Sequence, residues 1–271
     1  MEMTIGNIEV KPPQAMIKRM SLMLWGASGC GKTTLAATAP GKKLWINFDP
    51  DGTEALNYFD DVVVMDLSAE PDSLVERFKE PDPFKISKFI AEHNIDTVVF
   101  DSLTTFGSKA LVQGVTKAQG TAKGRSSTLE DPGYAGYGNK NVWTNLAVMN
   151  MLTMTKKSNT HMIFIAHEDK PEKNQDGAVL YISIMLGSSL TQQIPVSLSE
   201  IWAMEDTGKV RRLAVRPCRA RKPMKTRMFA TDKEPEFLWT FDADTKKGEG
   251  IKTWYDRWVK NGGKKIPIPK V

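Results

Sequence analysis

Nine consecutive residues constrain this chain more than anything else in it. Gly26-Ala27-Ser28-Gly29-Cys30-Gly31-Lys32-Thr33-Thr34 fits G-x-x-x-x-G-K-[ST] and directly follows the apolar run Met20-Ser21-Leu22-Met23-Leu24-Trp25. The spacing has a chemical reason. A triphosphate must be held by donors with no bulky side chain in the way, and glycines at 26, 29 and 31 let successive backbone N–H groups turn towards the β-phosphate. A helix beginning near Lys32 adds the positive end of its dipole. Lys32 then reaches the β- and γ-phosphate oxygens, and the Thr33 hydroxyl ligates Mg²⁺. An ordinary glycine-rich turn is the bland alternative. The strand-like run before the motif and the helix-like run after it, closed by Pro40-Gly41, are the context a phosphate-binding P-loop needs. A nucleoside triphosphate with Mg²⁺ is the ligand pair this implies.

Beyond the motif, strand-like runs at about 20–25, 43–48, 62–65, 97–101, 161–166, 201–204, 211–216 and 237–241 alternate with helix-like segments. Runs such as Thr97-Val98-Val99-Phe100, apolar without polar alternation, suit strands buried on both faces. The expected fold class is therefore α/β: a P-loop NTPase with a twisted, mostly parallel central sheet flanked by helices. Prolines 81 and 83 place one helix from about Phe84, and another spans 142–157 with Trp143, Leu146, Met149, Leu152 and Thr153 near one face. Met149, Met151 and Met154 read as core filler. Residues 116–141, with Gly120, Gly124, Gly133, Gly136 and Gly138, read as a long mobile loop. The chain divides into an extended lead-in at 1–19 carrying Pro12-Pro13, a core at 20–241, and a C-terminal helix with a frayed basic tail at 242–271.

In such a sheet, ligands bind at the strand C-termini. Gly26, Asp49, Asp101 and His167 all fall at strand ends. Asp101 is suited to hold Mg²⁺ beside Thr33, the alternative being a plain strand-ending aspartate.

Composition excludes several classes. Two cysteines, Cys30 and Cys218, and three histidines are too few for a disulfide framework or a zinc site. No apolar run approaches ~18 residues and no signal-peptide layout is visible, so residence in the cytoplasm is the expectation. The net charge of +5 is unevenly spread: residues 207–231 contain no acid but hold Lys209, Arg211, Arg212, Arg216, Arg219, Arg221, Lys222, Lys225 and Arg227. Such a block suits a polyanion or, more blandly, forms a solvated basic face.

Phe100-Asp101-Ser102-Leu103, a helix, a glycine-rich stretch, another helix and then Met162-Ile163-Phe164-Ile165-Ala166-His167-Glu168 together resemble the RecA-like recombinase core. The short RecA-like single-strand annealing ATPases of bacteriophages are the nearest likeness, which covers about residues 20–229. The resemblance implies a nucleotide cradle of Gly26, Ala27, Ser28, Gly29, Cys30, Gly31, Lys32, Thr33 and Thr34, with Mg²⁺ held by Thr33 and Asp101. It implies catalytic roles for Lys32, Asp49, Asp101 and His167. Asp49 matches the family's water-polarising glutamate but is one methylene shorter, and Asp51 and Glu54 stand as alternatives. His167 falls where the recombinases carry a glutamine that senses the γ-phosphate.

The stretches 116–141 and 169–178 correspond to the family's two DNA-facing loops. Lys117, Lys123, Arg125 and Lys140 would meet phosphates there, and Tyr134 and Tyr137 would stack on bases. Arg216, Arg219, Arg221, Lys222 and Lys225 occupy the region that reaches a neighbouring subunit's nucleotide. The partners implied are single-stranded DNA, further copies of the chain in a ring or short filament, and a single-strand-binding protein, with no membrane. The activity implied is ATP-dependent annealing or strand exchange in phage recombination and repair. Two other classes remain open: an ATP-gated regulatory or adaptor ATPase acting on a protein partner, and a P-loop small-molecule kinase, which the want of an Arg-rich lid disfavours.

Overall fold

An apolar run without polar alternation has two faces to bury, and Ser21–Gly26 (β1) buries both. Met23 and Trp25 enter one apolar layer, Leu22 and Leu24 another. The computed structural model describes residues 3–5, 8–10, 19–231 and 234–269. In it, β1 is joined by Lys43–Asn47 (β2), Val62–Asp66 (β3), Thr97–Asp101 (β4), His161–His167 (β5), Glu200–Asp206 (β6), Arg211–Ala214 (β7) and Glu236–Trp239 (β8). The eight form one sheet of order β8-β7-β6-β1-β5-β4-β2-β3. All pairings from β6 to β3 are parallel; β7 and β8 join antiparallel. The mostly parallel α/β sheet expected from the sequence is the one found.

Helices cover both faces. In chain order they are Lys32–Ala37 (α1), Ile86–His93 (α2), Leu103–Gln119 (α3), Gly133–Lys157 (α4), Ser188–Ser197 (α5) and Ile251–Lys260 (α6). Leu35 of α1 and Ile251 and Trp254 of α6 share the layer of Leu22 and Leu24; α2 to α5 cover the other face. There Phe48, Phe78, Phe84, Phe100, Phe106 and Phe164 form a chain of ring contacts at 4.7–5.8 Å. Contacts of this kind add about 0.5–1.5 kcal/mol each beyond burial. Phe48 and Phe100 immediately precede Asp49 and Asp101, so the cluster anchors the backbone that carries both acids.

The glycine-rich stretch corrects a sequence expectation. Residues 116–141 are not a long loop: α3 runs on to Gln119, α4 starts at Gly133, and only 120–132 connect them. One of its glycines, Gly136, marks a close helix approach. A Cβ at Gly114 would lie 2.9 Å from the Gly136 carbonyl oxygen, and one at Gly136 would lie 3.0 Å from Val115 Cγ2. Gly138 faces open space. Gly114→Val is therefore expected to overpack the crossing and lower Tm by roughly 5 °C or more. Gly138→Ala should raise it by about 2–4 °C through helix propensity alone; thermal melts of the two variants check both signs.

The buried arc of α4 also differs from expectation. Trp143, Thr144, Ala147, Val148, Met151, Leu152 and Met154 are buried, while Leu146, Met149 and Thr153 face outward. Steps of three fall back by about 60° each on a 3.6-residue helix and carry 146 and 149 off the buried side. Met151 and Met154 fill the core as expected; Met149 does not.

The second polar stretch is a hairpin of Glu172–Lys173 and Val179–Tyr181. At the N-terminus, Met3–Ile5 pairs antiparallel with Ile8–Val10, and Pro12-Pro13 lie outside the described residues. The tail is not frayed as expected: Ile266–Pro267 pairs in parallel with Phe229–Ala230 and buries Ile266, with 270–271 outside the described residues. Next to it Trp202, Phe229, Phe237 and Trp254 form an aromatic nest with centroids 5.4–6.0 Å apart. The start of α6 is held by the end of α1. Thr38 Oγ1 accepts from Ile251 N at 2.9 Å, and Thr38 O accepts from Lys252 N at 3.0 Å. No helix among the described residues is long and apolar enough to cross a membrane.

His161 opens β5 with its ring buried against Tyr255 and its Nδ1 accepting from Met20 N at 3.0 Å. Burial pushes its pKa down to about 4. Between the ordinary value near 6.5 and about 4, the unfolded chain binds a proton that the folded chain refuses, so stability falls as pH drops through that window. The loss from this residue should total about 3 kcal/mol. His161→Asn should flatten that part of a stability profile measured by denaturant titration at stepped pH.

Candidate active site

The parallel sheet brings the ends of β1, β2, β4 and β5 to one edge. Gly26 closes β1 with a φ of +154°, and a Cβ there would lie 2.1 Å from the Met204 carbonyl oxygen of β6. Only glycine lets the loop leave the strand so close to its neighbour. Glu168 N donates to Gly26 O at 3.1 Å, tying the loop's start to the end of β5. Lys32, the first residue of α1, is buried, and its ammonium donates to Gly26 O at 3.1 Å and Ala27 O at 2.6 Å. Cys30 is buried beneath the loop, and burial raises its thiol pKa.

Asp101 lies at the end of β4, almost fully buried. Its Oδ2 accepts from the Trp45 indole N–H at 3.2 Å and from the Thr33 hydroxyl at 3.5 Å. Burial, then the nearby charge of Asp49, push its pKa up to about 7, against the pull of Trp45, Lys32 and Thr33. A carboxylate so crowded by negative charge is a natural seat for a divalent cation. The donor set fits Mg²⁺, with a hydroxyl and a carboxylate oxygen side by side and phosphate oxygens to complete the shell. Among the described residues no group of three or more His, Cys, Asp or Glu is placed to hold a metal by itself.

Asp49 follows β2 and is half-buried. Its Oδ1 accepts from the hydroxyls of Ser102, at 3.2 Å, and Thr105, and its N–H donates to Asn47 Oδ1 at 3.3 Å. Asp51 and Glu54, the alternatives, are exposed on the rim of the same cavity. His167 ends β5, in register with Gly26, and its N–H donates to Thr104 Oγ1 at 2.9 Å. Burial and then the charge of Lys32 lower the imidazole pKa, against the pull of Asp49, which favours the neutral ring. Lys32, Thr33, Asp49, Asp101 and His167 thus line one cavity of about 320 Å³, together with Ser28, Gly29, Gly31 and Thr34. The sequence-predicted residues are brought together.

A family model described as an AAA domain matches residues 18–238. The chain belongs to the AAA domain family. A search of curated proteins gives no match. Residues 18–238 are thus a nucleotide-binding domain of ATPase type, whose P-loop and sheet are those described above. The narrower likeness to recombinases is not part of that finding.

Several residues of this AAA domain do something the sequence did not announce. Trp45 reads as core, yet its indole N–H holds Asp101. Ser102 and Thr105 lie one helical turn apart at the start of α3 and together grip Asp49; their spacing after Asp101 is the signal that was available. Arg211 lines the cavity from β7, some 180 residues downstream of the loop, where no spacing rule reaches. The five basic residues expected to reach a neighbouring subunit each have a partner within the chain. Arg216 donates to Thr231 O, Arg219 pairs with Glu236, and Arg221 pairs with Glu168 and Glu205. Lys222 lies over the Tyr181 ring, and Lys225 donates to Pro195 O. Lys140 is likewise engaged, its ammonium donating to Leu186 O at 3.1 Å, and Lys117 pairs with Glu76. Lys123 and Arg125 are exposed in the α3–α4 connection, Tyr134 is fully exposed and Tyr137 is exposed in the first turns of α4.

Proposed function

We propose that this AAA domain hydrolyses ATP with Mg²⁺ and uses the cycle to bind single-stranded DNA, promoting annealing or strand exchange. The observation that carries the ATPase reading is the convergence of Lys32, Thr33, Asp49, Asp101 and His167 on one cavity at the sheet's C-terminal edge. Lys32 neutralises the β- and γ-phosphates, while Thr33 and Asp101 hold the cation. When bound, Mg²⁺ supplies charge neutralisation on the transferring phosphate. Asp49 is the residue to orient the attacking water: Ser102 and Thr105 fix one of its oxygens, whereas Asp51 and Glu54 sit on the exposed rim. His167 donates to the γ-phosphate from the strand between the P-loop and Asp101.

The DNA reading is supported by exposed Tyr134, Tyr137, Lys123 and Arg125 on and around the α3–α4 connection, aromatic faces and cations presented to solvent. Assembly into a ring or short filament, with a single-strand-binding protein as co-partner, belongs to the same proposal. MgATP turnover and anisotropy of a labelled oligo(dT), measured across a salt series, test it together. Binding at low salt that weakens steeply with added salt is the expected result. Turnover without oligo(dT) binding at low salt would sink the DNA reading. It would leave the second one, a protein-directed ATPase, favoured by exposed Leu129, Val179 and Leu180 on the connection and the 172–181 hairpin.

A further inference from the structure

Among the described residues, the cavity is lined by four acids, Asp49, Asp51, Glu54 and Asp101, and by two Lys or Arg side chains, Lys32 and Arg211. Lys32 belongs to the P-loop. Arg211 has no role in the reading above. It opens β7, directly opposite Asp206 at the end of β6, and its Nε donates to Asp206 Oδ2 at 3.1 Å. The side chain is 38 % exposed. Its guanidinium packs on the loop itself: a Cβ added to Gly31 would lie 3.4 Å from both Cζ and Nε.

Sheet order says which end of a nucleotide comes here. β1 lies between β5 on one side and β6 on the other, with β7 next beyond β6. Asp49, Asp101 and His167 stand at the ends of β2, β4 and β5, all on the first side. Arg211 stands on the second. A linear triphosphate held at its centre by the loop, with its γ-phosphate over the acids and the cation, must run its nucleoside towards β6 and β7. We infer that Arg211 holds the nucleoside end, its planar guanidinium stacked on the base and kept in plane by Asp206. A guanidinium suits that place because it stacks on aromatic faces and stays charged, where a lysine offers only a point charge.

This inference rests on the cavity being a nucleotide site, and the test separates the two. Calorimetric titration of the full chain with MgATP and with magnesium tripolyphosphate, which has no nucleoside, is done for the wild type, Arg211→Ala and Arg211→Lys. The expected result is a loss of about 10-fold or more in MgATP affinity for both variants. Tripolyphosphate affinity should change by less than about 3-fold, because a contact to the base alone is absent from it. In steady-state turnover the same variants should raise KM for ATP and leave kcat near wild type. Equal losses for both ligands, no loss for MgATP, or full rescue by lysine would each overturn the stacking role. A wild-type chain that binds neither ligand would overturn the nucleotide reading itself. Melting temperatures near wild type, expected because the Asp206 pair is solvent-facing, exclude misfolding as the cause.

Discussion

Lys32→Ala is expected to lower ATP turnover by about 100-fold to 1000-fold, the loss typical of one preorganised charge-stabilising donor. The ammonium is already in place at the base of the loop, bonded to Gly26 O and Ala27 O, so little reorganisation is needed when phosphate oxygens compete for it. Removing it takes the single P-loop cation from a cavity lined by four acids. MgATP affinity should fall with turnover, since the charge is felt in the ground state as well. A steady-state assay with calorimetric binding measures both. Turnover within a fewfold of wild type would mean that hydrolysis occurs elsewhere.

Asp101→Asn is the second large effect, and its two readouts should move in opposite directions. Mg²⁺-dependent turnover should fall by roughly 100-fold or more, because an amide is a poor ligand for a hard cation. Stability without nucleotide should hold or rise. The carboxylate is almost fully buried and crowded by Asp49, so its charge is costly, while the amide oxygen can still accept from Trp45 and Thr33. A Mg²⁺ titration of turnover and a thermal melt in EDTA report the two. A destabilised variant with intact Mg²⁺ dependence would show Asp101 to be a structural residue only.

Much of this site was legible because its signals are local. The P-loop is one contiguous motif, and a parallel sheet turns strand-ending residues, scattered from Gly26 to His167, into neighbours. What was not legible depends on pairs distant in sequence. Gly136 looks like a turn former until α3 and α4 are seen to cross at it, against Gly114, which is why a helix start was read as loop. Arg211 comes to the loop only through the β6–β7 hairpin, and the acids that engage Arg219 and Arg221 lie outside the basic block that looked unpaired. A charge count along the chain sees the block and not its partners.

The aromatic nest around Trp254 has a practical consequence for anyone dividing this protein. The AAA match closes at residue 238, but the apolar side of the sheet is not sealed there. Trp202, Phe229 and Phe237 are covered by Trp254, Ile266 is seated beside Phe229, and Thr38 behind the P-loop is bonded to the first turn of α6. A fragment trimmed to the homology boundary would present three large rings to water as one sticky patch, inviting self-association. A fragment that keeps this interior covered therefore extends at least through Pro267, with the segment from α6 to Ile266–Pro267 acting as a lid on the hydrophobic interior.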